Sequence, residues 1–171
     1  MHINVEFKAH CNHPDEIRRI LQEEGADYKG RDHQIDVYFN VPNGRLKLRK
    51  GDIENSLIAY EREDYAGAKQ SNVYLVRVEP ESNLEQALTT TLGVKVVVDK
   101  QRDIYFIGNV KFHIDEVKEL GPFMEVEAID SEGTIGRENL QEQCDHYKNL
   151  FRIRDDDMIS QSYSDLLLQK N

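Results

Sequence analysis

The sequence has only two cysteines, Cys11 and Cys144, and it lacks any long apolar run. Two cysteines exclude a disulfide framework and are typical of a reducing cytoplasm. A membrane-spanning helix needs about 18 or more consecutive apolar residues, and none are present. Residues 1–6 have neither a basic n-region nor an apolar h-region, so they do not resemble a secretory signal. We therefore expect a cytoplasmic protein without a membrane partner.

Broad positive charge is also missing, since the formal net charge is −10. Binding to nucleic acid or to an anionic membrane usually needs a broad basic surface, so we expect neither partner. A small anion held in a local basic pocket stays compatible with this charge. The chain contains no P-loop, no Gly-x-Gly-x-x-Gly and no Gly-x-Ser-x-Gly. If phosphates bind here, side chains rather than a glycine loop must hold them.

The hydrophobic pattern predicts a single domain spanning residues 1–171, because no linker or repeat divides the chain. Strands are predicted at 3–8, 33–41, 45–50, 55–64, 72–79, 94–107, 110–117 and 123–129. Helices are predicted from Pro14, from a capping box at Ser82 and from Thr134, with short helical pieces at 155–157 and 162–168. Short turns favour antiparallel pairing, and closing the sheet removes its unpaired edges. The predicted class is α+β, a closed eight-stranded antiparallel β-barrel with helices packed outside.

The first strand alternates apolar and polar residues. Ile3, Val5 and Phe7 fall on one face, whereas Asn4, Glu6 and Lys8 fall on the other. A surface strand would show the same alternation. Later strands repeat the pattern with charges at two-residue spacing, which favours a shared internal site for a polyphosphate and its metal.

Cations recur at this spacing on two later strands. Arg45, Lys47 and Arg49 share one face of residues 45–50, and Lys100 and Arg102 share one face of the long strand. If these cationic side chains point into a barrel, they repel each other and need an anion or carboxylates between them. A solvated basic face fits residues 45–50 equally well.

Arg62 is a further candidate for the same site. It stands between Glu61 and Glu63, so a surface salt-bridge ladder fits it equally well. Arginine suits a bidentate contact with phosphate oxygens, and lysine supplies a compact charge.

Carboxylates complete the candidate set. Glu125 and Glu127 share a strand face, Asp115 lies on the preceding strand and Glu6 on the first. Oxygen-only ligands suit hard cations such as Mg²⁺ or Mn²⁺, which commonly bridge phosphates to protein. The alternative is an exposed acidic strand, which the apolar neighbours of Glu125 and Glu127 disfavour.

Several of these stretches resemble the CYTH family, also called triphosphate tunnel metalloenzymes, and most closely its class IV adenylyl cyclase branch. That family opens with Glu-x-Glu-x-Lys, where this chain has Asn4-Val5-Glu6-Phe7-Lys8. Residues 99–106 are similar to the branch's basic strand and residues 120–127 to its acidic strand. Asp36, Tyr38 and residues 162–167 also fit, so the resemblance covers nearly the whole chain.

The resemblance implies a closed antiparallel β-tunnel that binds triphosphates through Arg and Lys and a divalent metal through carboxylates. The implied phosphate ligands are Lys8, Arg45, Lys47, Arg49, Arg62, Lys100 and Arg102. The implied ligands of Mg²⁺ or Mn²⁺ are Asn4, Glu6, Asp115, Glu125 and Glu127. The implied catalytic residues are Glu6, Lys8, Arg102 and Glu125. The cyclase branch alone implies a homodimer.

One position departs from the family pattern, because Asn4 replaces the first Glu of the opening motif. An amide oxygen can coordinate a metal but brings no charge, so metal affinity or stoichiometry is expected to differ. The leading expectation is a class IV-like adenylyl cyclase, which converts ATP to cyclic AMP and pyrophosphate. The alternative is a triphosphatase acting on tripolyphosphate, a nucleoside triphosphate or thiamine triphosphate. Asn4 also keeps open a non-catalytic module that binds a nucleotide or polyphosphate.

Overall fold

The computed structural model describes residues 1–62 and 67–170, with every side chain in these ranges except that of Arg62. The strands there are β1 (His2–His10), β2 (Asp27–Phe39), β3 (Arg45–Lys50), β4 (Asn55–Arg62), β5 (Lys69–Arg77), β6 (Val94–Ile107), β7 (Val110–Val117), β8 (Gly121–Asp130) and β9 (Met158–Ile159). The helices are α1 (Pro14–Glu23), α2 (Leu84–Leu92), α3 (Arg137–Leu150) and α4 (Tyr163–Lys170), with a 3₁₀ turn at Asp155–Asp157. No helix in these ranges is long and apolar enough to cross a membrane.

The strands form one antiparallel sheet that closes on itself. Their order is β5-β4-β3-β2-β6-β7-β8-β1-β9, and β5 also pairs with β1. This last pairing joins eight strands into a barrel, which confirms the predicted fold. The unpredicted strand β9 pairs with β1 at Lys8 and Ala9, beyond the residues of β1 that pair with β5.

The main apolar core lies outside the barrel, between its wall and the helices. Val5 and Phe7 of β1 are buried there with Leu140 and Cys144 of α3. Because side chains alternate along a strand, the polar residues between them point into the barrel. Burying the apolar face under helices therefore directs the charged face inward.

Two smaller clusters cover the rest of the wall. Val37 and Phe39 of β2 pack with Leu88 of α2, whereas Val98 of β6 packs with Leu167 of α4. The helices therefore pack on the outside of the barrel, as predicted.

The hairpin between β2 and β3 depends on a glycine at its predicted turn. Gly44 has a φ of 64°, a conformation that disfavours residues with a Cβ. A Cβ at this position would also lie 3.0 Å from the carbonyl oxygen of Tyr60. The turn therefore brings β3 back beside β2 only with glycine at this position.

Helix α3 begins at Arg137, three residues after the predicted start at Thr134. The intervening backbone is bound by Asp130, whose carboxylate accepts the N–H groups of Thr134, Ile135 and Gly136 at 3.0, 3.2 and 3.0 Å. These bonds stabilise a loop before the helix, and Gly136, with a φ of 84°, is the N-cap residue of α3.

Several other element boundaries also differ from the prediction, among them the starts of β2 and β5. Strand β2 begins at Asp27 instead of residue 33, and β5 at Lys69 instead of residue 72. Both extensions are polar, so hydrophobic alternation does not reveal them. The predicted capping box is wrong. The N-cap residue of α2 is Asn83 instead of Ser82, and no side-chain hydrogen bond caps this end of the helix. The predicted end of β4 at residue 64 lies outside the described residues.

Candidate active site

The barrel contains a cavity of about 220 Å³ lined by the inward faces of its strands. Nine of the predicted site residues line it: Asn4, Glu6, Lys8, Lys47, Arg49, Lys100, Arg102, Glu125 and Glu127. They come from β1, β3, β6 and β8, which are distant in sequence. The period-two pattern of each strand therefore converges on one site.

Two other predicted residues lie elsewhere. Arg45 donates to Ser162 Oγ at 2.7 Å and to Asp165 Oδ2 at 3.0 Å, and it does not line the cavity. Asp115 is fully buried behind the lining. The side chain of Arg62 lies outside the described residues.

Asp36 holds three of the cavity's cations from behind. It accepts Arg49 Nε and Nη2, both at 2.9 Å, and Lys100 Nζ at 2.7 Å. Lys47 Nζ lies 3.5 Å from Asp36 Oδ2. Burial alone would raise the pKa of Asp36, but the charges of Arg49, Lys100 and Lys47 hold that pKa well below its usual value. Asp36 therefore keeps three mutually repelling cations together.

Asp115 holds Arg102 in the same way. Arg102 Nε and Nη2 donate to the two Asp115 oxygens at 2.8 Å each, and Tyr163 Oη donates to Oδ2 at 2.7 Å. All three side chains are buried. Both carboxylate oxygens are therefore directed at Arg102 and Tyr163 rather than into the cavity.

Lys8 lies where β1, β9 and α4 meet. Its Nζ donates to the Gln161 carbonyl oxygen at 3.4 Å and lies 3.9 Å from Glu125 Oε1. It also lies 4.2 Å from the centre of the Tyr163 ring, within the range of a cation–π contact. The C-terminal segment therefore helps to position this cation.

The carboxylates sit side by side on β1 and β8. Glu6 lies opposite Glu127, and Lys8 lies opposite Glu125. Burial, together with the charge of Glu6, raises the pKa of Glu127 to about 7. Burial acts in the same direction on Glu125, but Lys8 and Arg102 hold the pKa of that carboxyl well below its usual value. Lys111, which lies opposite Glu127 on β7, offsets part of the rise in the pKa of Glu127.

Two side chains of the lining have polar atoms without a hydrogen-bond partner among the described residues. Asn4 donates to Glu127, but its buried Oδ1 accepts no bond. Both ring nitrogens of His113 are buried without a partner, and its Nδ1 is 3.8 Å from Glu125 Oε2. Burial, reinforced by nearby cations, lowers the pKa of His113 to about 3, so its ring is neutral. Each such atom costs about 1–3 kcal/mol, which a bound ligand would offset.

This donor set fits a hard divalent cation. The carboxylates of Glu6, Glu125 and Glu127 and the amide oxygen of Asn4 are the ligand types that Mg²⁺ and Mn²⁺ prefer. Within residues 1–62 and 67–170, no group of three or more His, Cys, Asp or Glu side chains is arranged so that it could hold a metal ion by itself. An incomplete protein shell is usual for Mg²⁺, which keeps water and substrate phosphates as ligands. The unpaired Oδ1 of Asn4 and the raised pKa of Glu127 indicate where a cation fits.

Three functional groups of the lining were missed by the sequence analysis: Glu54, Lys111 and His113. Lys111 and His113 precede Asp115 at two-residue spacing on β7, so the signal used for the other strands would have found them. Glu54 lies in the loop between β3 and β4, where no periodicity applies. With these residues, the described lining carries six Lys or Arg side chains and four Glu side chains.

One side of the cavity is apolar. Ile58, Tyr60, Val73, Leu75 and Ile129 line it. Leu75 is half exposed, so this side reaches the protein surface. The cavity therefore offers both charged and apolar surface to one ligand.

Known proteins share this chain's sequence features and its barrel. Residues 2–161 match the model of the CYTH domain. The Methanocaldococcus jannaschii protein named "Putative adenylate cyclase MJ0240" is 28% identical over 178 residues, covering 96% of this chain and 98% of that protein. The structure of the PH1012 protein from Pyrococcus horikoshii OT3 is 25% identical, with a TM-score of 0.74, and covers 97% of this chain and 99% of its own.

Another solved structure, with lower sequence identity, is similar to this chain in its fold alone. HpAC1 from Hippeastrum, described as revealing a dominant triphosphatase activity, is 12% identical with a TM-score of 0.58. The alignment covers 99% of this chain and 95% of that one.

The family match and the barrel agree over almost the whole chain. The match spans 2–161, which includes every barrel strand and the two-residue strand beside Lys8. The charged interior is the arrangement that the sequence resemblance implies. The chain therefore belongs to the CYTH domain family.

Proposed function

We propose that this protein is a divalent-metal-dependent enzyme that acts on a nucleoside triphosphate, and that its reaction is the conversion of ATP to cyclic AMP and pyrophosphate. The observation that carries the proposal is the composition of one cavity, in which six cations, a group of carboxylates and an apolar side meet. An inorganic phosphate chain has no group for the apolar side, whereas a nucleoside does. The name of the M. jannaschii relative supports the cyclase reaction.

In this proposal the phosphates are bound by side chains alone. Lys8, Lys47, Arg49, Lys100 and Arg102 line the cavity and bind the phosphate oxygens. Asp36 and Asp115 hold the cations from behind, so little reorganisation is needed when the ligand arrives. We assign Asp115 to positioning Arg102 and Arg45 to fixing the segment before α4, because their bonds are directed there.

Mg²⁺ or Mn²⁺ is proposed to bind to Glu6, Glu125 and Glu127 with the amide oxygen of Asn4. When bound, the ion supplies positive charge to the phosphate oxygens, which favours attack on phosphorus. Asn4 contributes a neutral ligand, so one negative charge fewer surrounds the ion than in a site opening with two Glu residues.

The cations then act on charge that develops during the reaction. In the cyclase reaction, the ribose 3′-hydroxyl loses its proton to solvent and its oxygen bonds to the α-phosphorus, while the bond from that phosphorus to the bridging oxygen of the pyrophosphate breaks. Negative charge builds up on the leaving pyrophosphate, next to the side chains of Arg102 and Lys8. If water attacks the terminal phosphorus instead, the bond from that phosphorus to the bridging oxygen breaks. The same cations then stabilise the charge on the departing diphosphate, and the attacked phosphoryl group becomes orthophosphate.

Three further properties stay predictions. They are the homodimer, the cytoplasmic location and the absence of a nucleic-acid partner.

A substrate panel tests the proposed reaction. Purified protein is incubated with Mg²⁺ or Mn²⁺ and with ATP, tripolyphosphate or thiamine triphosphate in separate reactions, and the products are resolved. We expect cyclic AMP and pyrophosphate from ATP. Release of orthophosphate would replace the cyclase with the triphosphatase. Saturable binding without turnover would indicate a non-catalytic binding module. The absence of both binding and turnover would contradict the whole proposal.

Glu125→Gln tests the metal site. The substitution removes one charge from the proposed ligand set, and we expect Mn²⁺ affinity to fall by about tenfold or more, with metal-dependent activity falling at least as much. Electron paramagnetic resonance of free Mn²⁺ measures the affinity without any turnover. The matched control is Glu132→Gln, an exposed position. Equal Mn²⁺ affinity in the two variants would remove Glu125 from the metal site.

Lys100 predicts a pH dependence of triphosphate binding. Burial lowers its pKa to about 7, against the attraction of Asp36 and with the added repulsion of Arg102 and Arg49. Lys100 is therefore largely neutral above that pH in the free protein, and a triphosphate binds best when the amine takes up a proton. Above about pH 7, Lys100 must take up a proton when the triphosphate binds. The affinity for the triphosphate therefore falls by about tenfold per pH unit.

Lys100→Arg is the matched variant, because a guanidinium stays charged over this range. The ligand's own titration is common to both proteins, so the difference between their pH slopes isolates Lys100. Metal-free titration calorimetry with tripolyphosphate measures both slopes. Identical slopes would contradict the titration of Lys100 in the site.

A further inference from the structure

The loop between β3 and β4 is fixed against the barrel by a buried carboxylate. Asp32 accepts the backbone N–H groups of Asp52 at 2.7 Å, Ile53 at 2.9 Å and Glu54 at 3.0 Å. A Cβ at Gly51 would lie 2.6 Å from Asp32 Oδ2, so only glycine permits this close approach. The backbone that carries Glu54 is therefore held in place and does not act as a mobile flap.

The fixed loop presents Glu54 to the cations of the cavity. Its carboxylate forms an ion pair with Lys111, lies 3.4 Å from Arg49 Nη1 and accepts Gln34 Nε2 at 2.8 Å. Burial would raise the pKa of Glu54, but Lys111 and Arg49 hold it well below its usual value, so the group stays ionised. Glu54 therefore places a permanent negative charge among the cations.

The position of Glu54 differs from that of Asp36 and Asp115. Those two carboxylates lie behind the lining and hold their cations toward the cavity. Glu54 is itself part of the lining, as are its partners Lys111 and Arg49. An anion that extended to Lys111 would have to occupy the same space as this carboxylate or lie against its charge.

We propose that Glu54 is a specificity-determining residue that occupies the place of an additional phosphate beside Lys111, and so limits the length of the phosphate chain that the cavity accepts. The inference rests on the proposed binding of a triphosphate and adds a chain-length limit to it. Lys8, Lys47, Arg49, Lys100 and Arg102 remain for the triphosphate, whereas Lys111 is taken by Glu54. A longer chain is disfavoured, because its additional phosphate would lie against the like charge of Glu54.

The test is the ratio of two affinities measured by titration calorimetry without metal. The ligands are tripolyphosphate and tetrapolyphosphate, and the proteins are the unaltered chain, Glu54→Gln and Glu81→Gln, an exposed position with the same change in charge. In Glu54→Gln we expect affinity for tetrapolyphosphate, relative to tripolyphosphate, to rise by about tenfold or more. Glu81→Gln should leave the ratio unchanged.

A double variant tests whether the gain depends on Lys111. Glu54→Gln combined with Lys111→Met removes both charges of the pair, and the ratio should return to that of the unaltered chain. If Glu54→Gln is unfolded without ligand, the ratio is taken from the concentrations of the two polyphosphates that restore its native circular dichroism.

The outcomes separate this inference from the proposed function. An unchanged ratio in Glu54→Gln, with tripolyphosphate still bound by the unaltered chain, overturns the role of Glu54 alone. A raised ratio that persists without Lys111 also overturns it. If none of the three proteins binds either ligand, the inference fails, and the substrate panel with metal and ATP decides separately whether the proposed function fails with it.

Discussion

The structure of this barrel depends on buried ion pairs. Asp36 with Arg49, and Asp115 with Arg102, place full charges at positions with almost no solvent. Burying such groups is costly unless each is paired with good geometry, and removal of one partner from a buried pair typically costs about 3–5 kcal/mol. The pairs are therefore both structural and functional, because they hold the cations at the cavity surface before any ligand binds.

The rest of the fold follows from keeping charges inside. A closed barrel with a polar interior cannot use that interior as its apolar core, so the core forms outside, where α1 and α3 pack on β1, β7 and β8. Each strand thus serves both purposes, with apolar residues under helices and charged residues in the cavity. A substitution such as Glu125→Gln therefore changes the site without touching the outer core.

Much of this arrangement could be predicted from the sequence, because it depends on two-residue alternation. The spacing of Lys47 with Arg49, and of Glu125 with Glu127, predicted that each pair shares one strand face, and the structure places both faces in one interior. Hydrogen bonds between side chains of elements that are distant in sequence could not be predicted from this alternation. Nothing in the pattern shows that Asp115 faces Arg102 instead of a metal, or that Arg45 bonds to Ser162 and Asp165. Glu54 was missed because a loop has no period, and its position depends on bonds to Asp32.

The central claim is that the paired cations form a binding site for a triphosphate inside the barrel. A crystal structure of the protein with Mn²⁺ and a non-hydrolysable ATP analogue tests it most directly. The account predicts phosphate oxygens within hydrogen-bond distance of Arg49, Lys100 and Arg102, and anomalous scattering from Mn²⁺ beside Glu6, Glu125 and Glu127. A triphosphate bound on the outer surface, with the cavity cations still paired only to Asp36 and Asp115, would contradict it.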